Sequence, residues 1–417
     1  MLAAALAMVQ LSLGQVPADE PLPPVEAASA PAVELSGGAE VGPWFLAGGW
    51  MVGLRPSLSL ELSADFGVAL EAPLRSTGTA PLQLRGEDWD ERSDLGQLLR
   101  ALSVGAASRP VQIRAGELRA VRMGHGHLLA GYFNRLSEDY RPAGAHLLVS
   151  AGQVAVEAVA SDVLAARLFA GAVRATTGDE GFHAELSALH DFGQAGGTAP
   201  PLTLAHLDLD VGLFRGPSFW LNAFIGGGVR VGVADPAGGG VLGLSVDGRA
   251  GGLNVGGRVE VRRVEGGYRP GMVGVGYELS RMAGTGFSGV PLADERLPPA
   301  FSGLAEIQVE CAARSGRVVG LASVEAFTFG RMDARAWFSA QLFSGWLTAS
   351  GVMEAVELNA SPRLLVAGDA RVRFAPSLYA WASAGTSFRP APAGGLERAL
   401  VAGLGLAADF DLAPGPR

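Results

Sequence analysis

Lysine is missing from this chain: all 32 basic side chains are arginine. Set against 41 carboxylates, they leave a formal net charge of -9. A surface that binds nucleic acid normally shows as a basic stripe, so no nucleic-acid partner is expected. Cysteine is almost missing too. The single Cys311 excludes a disulfide framework, a cysteine-based metal centre and a lipid-modified cysteine near the N-terminus. Long apolar runs are also lacking. The longest uncharged stretch after the N-terminus, Ala336 to Met353, is interrupted by Ser339, Gln341, Ser344, Gly345, Thr348 and Ser350. It barely reaches the roughly 18 residues that a helical membrane span needs, and Ser344-Gly345 reads as a turn between two strands. Transmembrane helices are set aside.

The composition that remains is apolar and rich in glycine: 48% hydrophobic, 18% charged and 60 Gly. The mean hydropathy is +0.26. Such a chain is too apolar for disorder and too glycine-rich for a helical bundle. Residues 1–18 form an apolar run followed by small residues, the pattern of a secretory signal peptide, though without a basic residue ahead of the run. Residues 19–43, rich in Pro and Ala, read as a solvated tether.

Period-two alternation recurs from there on, the mark of a sheet whose faces meet different media. In Thr203–Phe214, Ala205, Leu207, Leu209 and Val211 share one face; His206, Asp208 and Asp210 share the other. In Leu253–Arg263, Val255, Val259 and Val261 oppose Arg258, Glu260 and Arg262. Further on, Ile307, Val309 and Cys311 oppose Glu306, Gln308 and Glu310. The same holds for Ala334 and Phe338 against Asp333 and Arg335, and for Val366, Val372 and Phe374 against Asp369, Arg371 and Arg373. The runs last about ten to fourteen residues, where a globular strand averages five or six and a membrane-spanning strand needs about nine to eleven. Short Gly, Pro, Ser and Asp turns join them. The expected fold is all-β: a transmembrane antiparallel up-and-down barrel of about 16–18 strands over residues 44–412, with a short helical insertion. Trp44, Phe45, Trp50, Phe219, Trp220, Trp337, Phe343, Trp346, Tyr379, Trp381 and Phe388 fall near strand ends and would supply a thin aromatic girdle.

The last strand, Glu397–Phe410, places Gly405 and then hydrophobic and aromatic residues at alternate positions up to Phe410. It resembles the C-terminal signal of Gram-negative outer-membrane barrels, and residues 44–411 as a whole resemble barrels and porins at the level of architecture. The resemblance implies an outer-membrane location, a periplasmic tether, and two partners besides lipid: the outer-membrane assembly machinery, reading the strand that ends at Phe410, and small polar solutes.

Residues 85–141 break the pattern. Leu95, Leu98, Leu99 and Leu102 make one helical stripe, with Glu87, Asp88, Asp90 and Asp94 at its start, where a helix dipole favours acid. Arg114, Arg119 and Arg122 follow. Acid facing arginine across a narrow lumen would set up a transverse field, so this insertion is the expected plug or constriction.

Motifs for chemistry are sparse. His125 and His127 form an H-x-H pair, but no Cys and no second His spacing completes a zinc site. There is no G-x-S-x-G and no P-loop, and no cofactor or metal is expected. The resulting expectation is a porin-like channel for small polar solutes, not an enzyme, with the charged residues named above lining its pore. The alternatives are a barrel hydrolase using His206, Asp208 and Asp210 and a closed structural barrel.

Overall fold

A computed structural model of the chain describes residues 33–412 except 47, 78–82, 107, 136–139, 166, 178–180, 194–200, 233–236, 279–294, 361 and 391–395. The expected signal peptide and most of the expected tether lie outside the described residues. The strands in chain order are β1 (Glu34–Leu46), β2 (Gly49–Ser63), β3 (Phe66–Glu71), β4 (Leu74–Ser76), β5 (Leu99–Val104), β6 (Val111–Gly116), β7 (Val121–Arg122) and β8 (Leu129–Tyr132). They continue with β9 (Gly144–Ala151), β10 (Val154–Ala160), β11 (Leu168–Thr176), β12 (Phe182–Asp191), β13 (Leu202–Arg215), β14 (Phe219–Val231), β15 (Gly238–Ala250) and β16 (Leu253–Gly266). The last are β17 (Val273–Gly274), β18 (Leu297–Ala313), β19 (Gly316–Phe327), β20 (Met332–Leu342), β21 (Leu347–Val356), β22 (Arg363–Ala375), β23 (Leu378–Pro390) and β24 (Leu396–Asp411).

One sheet of 21 segments forms the wall, every neighbouring pair antiparallel. It closes where β1 pairs with β24, Gly37 opposite Phe410. β3 and β4 both pair with β2 along one line, broken at Ala72-Pro73, where proline has no N–H for the ladder. The wall therefore has twenty strands, an even number as an up-and-down barrel requires. That exceeds the expected 16–18, and the difference arises at two places. β1 begins at Glu34, inside the stretch read as tether, because its glycines and Pro43 hide the alternation that places Glu40 and Trp44 inward and Val41 outward. β5 and β6 form within the expected insertion.

The helical stripe does not become a helix. Arg92–Leu98 is a 3-10 turn, and Leu99 already opens β5. Leu95 and Leu98 are exposed. Gly96, unfavourable in a helix, is needed where it is, because a Cβ there would fall 2.3 Å from the Ala143 nitrogen. The residues after it find a ready partner in β3, Leu102 opposite Val68.

Alternation sorts the faces as the sequence implies. Leu207, Leu209, Val259, Val261 and Ile307 point outward and are exposed, whereas His206, Asp208, Arg258, Glu260 and Arg262 point inward and are buried. Connections at the end that holds Glu34 and Asp411 are two to six residues long; at the opposite end, residues 77–98, 117–143 and 267–296 make three long ones. Exposed aromatics collect at both ends: Phe182, Phe214, Phe219, Phe343, Trp346, Phe374 and Phe410 beside the tight turns, and Trp50, Phe169, Phe192, Phe301 and Phe329 at the other end. Phenylalanine carries most of this girdle. Trp44, Tyr379 and Trp381, expected in it, face inward and are buried; the side chain of Phe388 lies outside the described residues.

The described parts of two of the long connections, residues 117–135 and 267–278, fold back into the lumen. β8 lies between β7, antiparallel to it, and β17, parallel to it. This inner sheet packs through Met123, Leu128, Leu129, Tyr132, Tyr268 and Val273 onto Leu168, Leu189, Leu202 and Leu204 of the wall. Leu128, Leu129, Leu168, Leu202 and Val273 are at most 1% exposed, and burying each contributes roughly 1.5–3 kcal/mol. The plug is thus a small sheet with its own apolar core, held against β10–β13.

Candidate functional site: the lumen between plug and wall

Ion pairs take over where that apolar patch ends. Arg122 of β7 holds Glu306 of β18 through two hydrogen bonds of 2.8 Å. Glu306 also pairs with Arg258 at 2.9 Å, and Arg258 with Glu260 at 2.8 Å. Arg262 continues the chain, 2.5 Å from Glu260 and 3.3 Å from Glu325. The connection that bears β17 is fixed in the same way. Arg269 meets Asp333 at 2.8 Å, the Gly276 amide donates to Glu354 at 2.7 Å, and Arg335 donates to the Gly271 carbonyl at 2.7 Å. Guanidinium suits this task because its planar fork makes paired bonds to carboxylate.

The two histidines of the 124–128 turn meet β13 in step. His125 contacts Asp210, and His127 Nδ1 lies 2.7 Å from Asp208. His206 stands 3.1 Å from the same Asp208 oxygen and reaches the Tyr268 hydroxyl on its other side. His127, His206 and Asp208 are 1–2% exposed. The H-x-H pair thus meets its partners some eighty positions away in the chain.

Because the plug leans on one side, space remains on the other. A cavity of about 1010 Å³ runs between the plug and the wall formed by β18–β24 and β1–β6. It reaches from Arg317 and Gln341 beside the tight turns to Trp44, two residues from the far end of β1. Nine arginines line it (Arg55, Arg100, Arg114, Arg119, Arg122, Arg135, Arg141, Arg317 and Arg371) against four acids (Glu40, Glu71, Glu117 and Asp369), a formal excess of five positive charges. Two of the nine, Arg122 and Arg317, are met by Glu306 and Glu310 beside the cavity. The acids serve as counter-ions. Glu40 meets Arg371 at 2.8 Å, Glu71 meets Arg141 at 2.8 Å, and Glu117 meets Arg119 at 2.8 Å. Arg135 instead donates to the carbonyls of Gly96, Leu99 and Pro142. Burial and the neighbouring Arg141 press its pKa down to about 10, which leaves it charged at neutrality. Arg114 makes no ion pair among the described residues.

The residues expected to line the pore therefore separate into groups. Arg114, Arg119, Arg122, Asp369 and Arg371 line the cavity. His206, Asp208, Asp210, Arg258, Glu260, Arg262, Glu306, Asp333 and Arg335 face inward, but they hold the plug or one another. Glu310 pairs with Arg317 at 2.6 Å and Arg373 with Asp409 at 3.1 Å near the tight turns. The acidic string does not face the arginines across water. Asp88 is buried between Arg75 and Arg85, at 3.0 and 2.5 Å. Asp94 caps the 3-10 turn by accepting from the Glu91 amide at 2.7 Å. Glu87 and Asp90 are exposed. Arg75 and Arg85, close by, satisfy Asp88 before any arginine of the lumen can. Sequence reading missed Glu40, Arg55, Glu71 and Arg100 of the cavity and the whole β17 connection. Its signal was Gly266–Tyr277, where two tyrosines destined for burial stand among five glycines.

A closed antiparallel barrel, apolar outside, ion-lined inside, with short turns at one end and aromatics at both, defines the chain as an outer-membrane β-barrel of porin-like architecture. No protein-family model matches the chain, and no curated protein matches it. Among solved structures it is similar to the outer membrane protein OpdK of Pseudomonas aeruginosa, at 10% identity and a TM-score of 0.36, covering 91% of this chain and 99% of that one. A BenF-like porin from Pseudomonas fluorescens is 9% identical with a TM-score of 0.34, covering 92% and 98%. A further porin is 13% identical with a TM-score of 0.33, covering 91% and 100%. These likenesses are too distant to bear on function.

Proposed function

We propose that the chain is a channel for small polar solutes that favours anions, with solute passing beside the plug rather than through the barrel axis. The observation that carries this reading is the arginine excess of the cavity, nine against four, in a protein whose overall charge is negative. Rings of arginine are the usual filter of anion pores, and a carboxylate or phosphate group is the natural partner of the Arg114 guanidinium. His206 and Asp208 take no catalytic part in this reading: the plug covers them, and at 1–2% exposed they offer a substrate no approach. Recording from folded protein in a planar bilayer under a salt gradient tests it. The expected reversal potential has the sign of an anion-preferring pore, and Arg114→Glu shifts it toward cations. A cation-preferring pore, or silence from a sample whose heat-dependent gel shift shows it folded, overturns the proposal; silence favours a closed structural barrel.

A further inference from the structure

We propose that His127 Nδ1, His206 Nε2 and Asp208 Oδ1 together bind one divalent transition-metal ion of the zinc class, joining the plug to the barrel wall. The three ligand atoms lie within 4.8 Å of one another, with the Asp208 oxygen 2.7 Å from the His127 nitrogen and 3.1 Å from the His206 nitrogen. Ligands roughly 2.0–2.2 Å from a tetrahedral zinc ion stand a little over 3 Å from each other, so both Asp208 pairs are within an ångström of that spacing, and a side-chain rotation that draws the two imidazoles together closes the cluster on a metal. Two imidazoles and one carboxylate form a nitrogen-rich set that suits zinc, copper or nickel; calcium and magnesium prefer oxygen alone.

The second observation is the support behind each histidine. A metal-bound imidazole normally gives its remaining N–H to an oxygen, which fixes ring and tautomer. Here His127 Nε2 faces Glu260 Oε1 at 3.3 Å, and His206 Nδ1 faces the Tyr268 hydroxyl. Both histidines thus present one nitrogen to the cluster and have the other held. The wall beside them is cut back to glycine. Gly226 stands opposite Asp208 and Gly228 opposite His206 on β14; a Cβ on either would fall 2.3 Å from Asp208 Oδ1 or 2.5 Å from His206 Nδ1. Three protein ligands leave a fourth position for water or the second Asp208 oxygen. The ligands come from the 124–128 turn and from β13, so binding links a segment of the plug to the wall and stabilises the docked arrangement. This inference does not depend on the channel reading.

The test uses untagged protein, refolded in detergent, stripped with chelator and titrated with Zn²⁺ and, for its visible absorption, Co²⁺. The expected result is one ion per chain, a cobalt band of the intensity typical of low-coordinate sites, and slower protease cleavage within 117–143 when metal is bound. His127→Gln and Asp208→Asn each weaken binding roughly tenfold or more, while His146→Gln, away from the cluster, does not. His127 sits in the plug turn, so its variant leaves the barrel wall intact even where Asp208→Asn disturbs folding. Folded protein that takes up no stoichiometric ion in excess Zn²⁺, or that binds one equally well in both ligand variants, overturns the proposal and leaves the cluster as a hydrogen-bonded dock without metal.

Discussion

Single residues in this lumen are constrained chiefly by what they touch across the gap between plug and wall. Asp333 accepts from Arg269 and Arg331 at 2.8 and 2.9 Å and from the Glu357 amide at 3.1 Å. All three side chains of this triad are buried. Removing the charge takes the buried Arg269 guanidinium from its carboxylate and leaves Arg331 with Glu295 alone, a loss of about 3–5 kcal/mol. Asp333→Asn is therefore expected to lower the denaturant midpoint of the gel-shift transition markedly. Glycine supplies a sharper contrast. At Gly228 a Cβ would lie 2.0 Å from the Tyr268 hydroxyl, whereas at Gly303 it meets nothing within 4 Å. Gly228→Ala should cost roughly 1–3 kcal/mol through overpacking, Gly303→Ala close to nothing, and urea unfolding into lipid vesicles measures both. Equal effects would mean that the plug does not dock as described.

Elements obey the period-two rule wherever their two faces meet different surroundings. β16 shows it most clearly: Val259 and Val261 are more than half exposed toward lipid, while Arg258, Glu260 and Arg262 between and beside them are buried in the ion chain. A charge placed on the lipid face near mid-membrane costs roughly 2–4 kcal/mol. Val259→Arg is accordingly expected to be destabilised by that order in vesicle unfolding. The exchange Ser339→Arg, on the cavity side of β20, should fold with nearly unchanged stability. Alternation made such strands readable in the sequence, and it named the inward face correctly for β13, β16, β18, β20 and β22. It failed where Gly37, Gly38, Gly42 and Pro43 interrupt the alternation, as in β1, and where a leucine stripe of helical spacing lay beside a free sheet edge, as in β5. In the first case too few side chains report the period. In the second, pairing with β3 satisfied the backbone, and the glycine at position 96 weakened the helix.

For the whole molecule, an off-centre plug decides how much lumen is left. The inner sheet packs on β10–β13, and its connections are tied by ion pairs and hydrogen bonds to β16, β18, β20 and β21, so the cavity of about 1010 Å³ lies to one side. Loosening those ties should widen the passage. The double variant Arg269→Ala and Asp333→Ala removes both members of one tie, leaving Arg331 with Glu295 at 3.2 Å. It is expected to raise single-channel conductance or to make it fluctuate between levels; an unchanged, steady conductance would contradict a plug held in this way. Because charges across a water-filled passage are screened within about 10 Å at 0.1 M salt, anion preference should also fall as salt rises. Reversal potentials at several concentrations check this.

By itself the sequence determined the class of sheet, the lining of its two faces and the exclusion of helical spans, because alternation over ten or more residues is a local property of the chain. It also singled out His125, His127, His206, Asp208 and Asp210 as residues of interest. Only the tertiary structure decided which of them meet. His127 reaches Asp208 through a connection that leaves the wall after β6 and returns at β9, and Arg122 reaches Glu306 across 184 positions. Such contacts depend on barrel closure and on which way a loop folds, and neither leaves a period in the sequence. The polar lumen was legible; that much of its charge is spent on holding a plug, with the surplus arginines left beside it, was not.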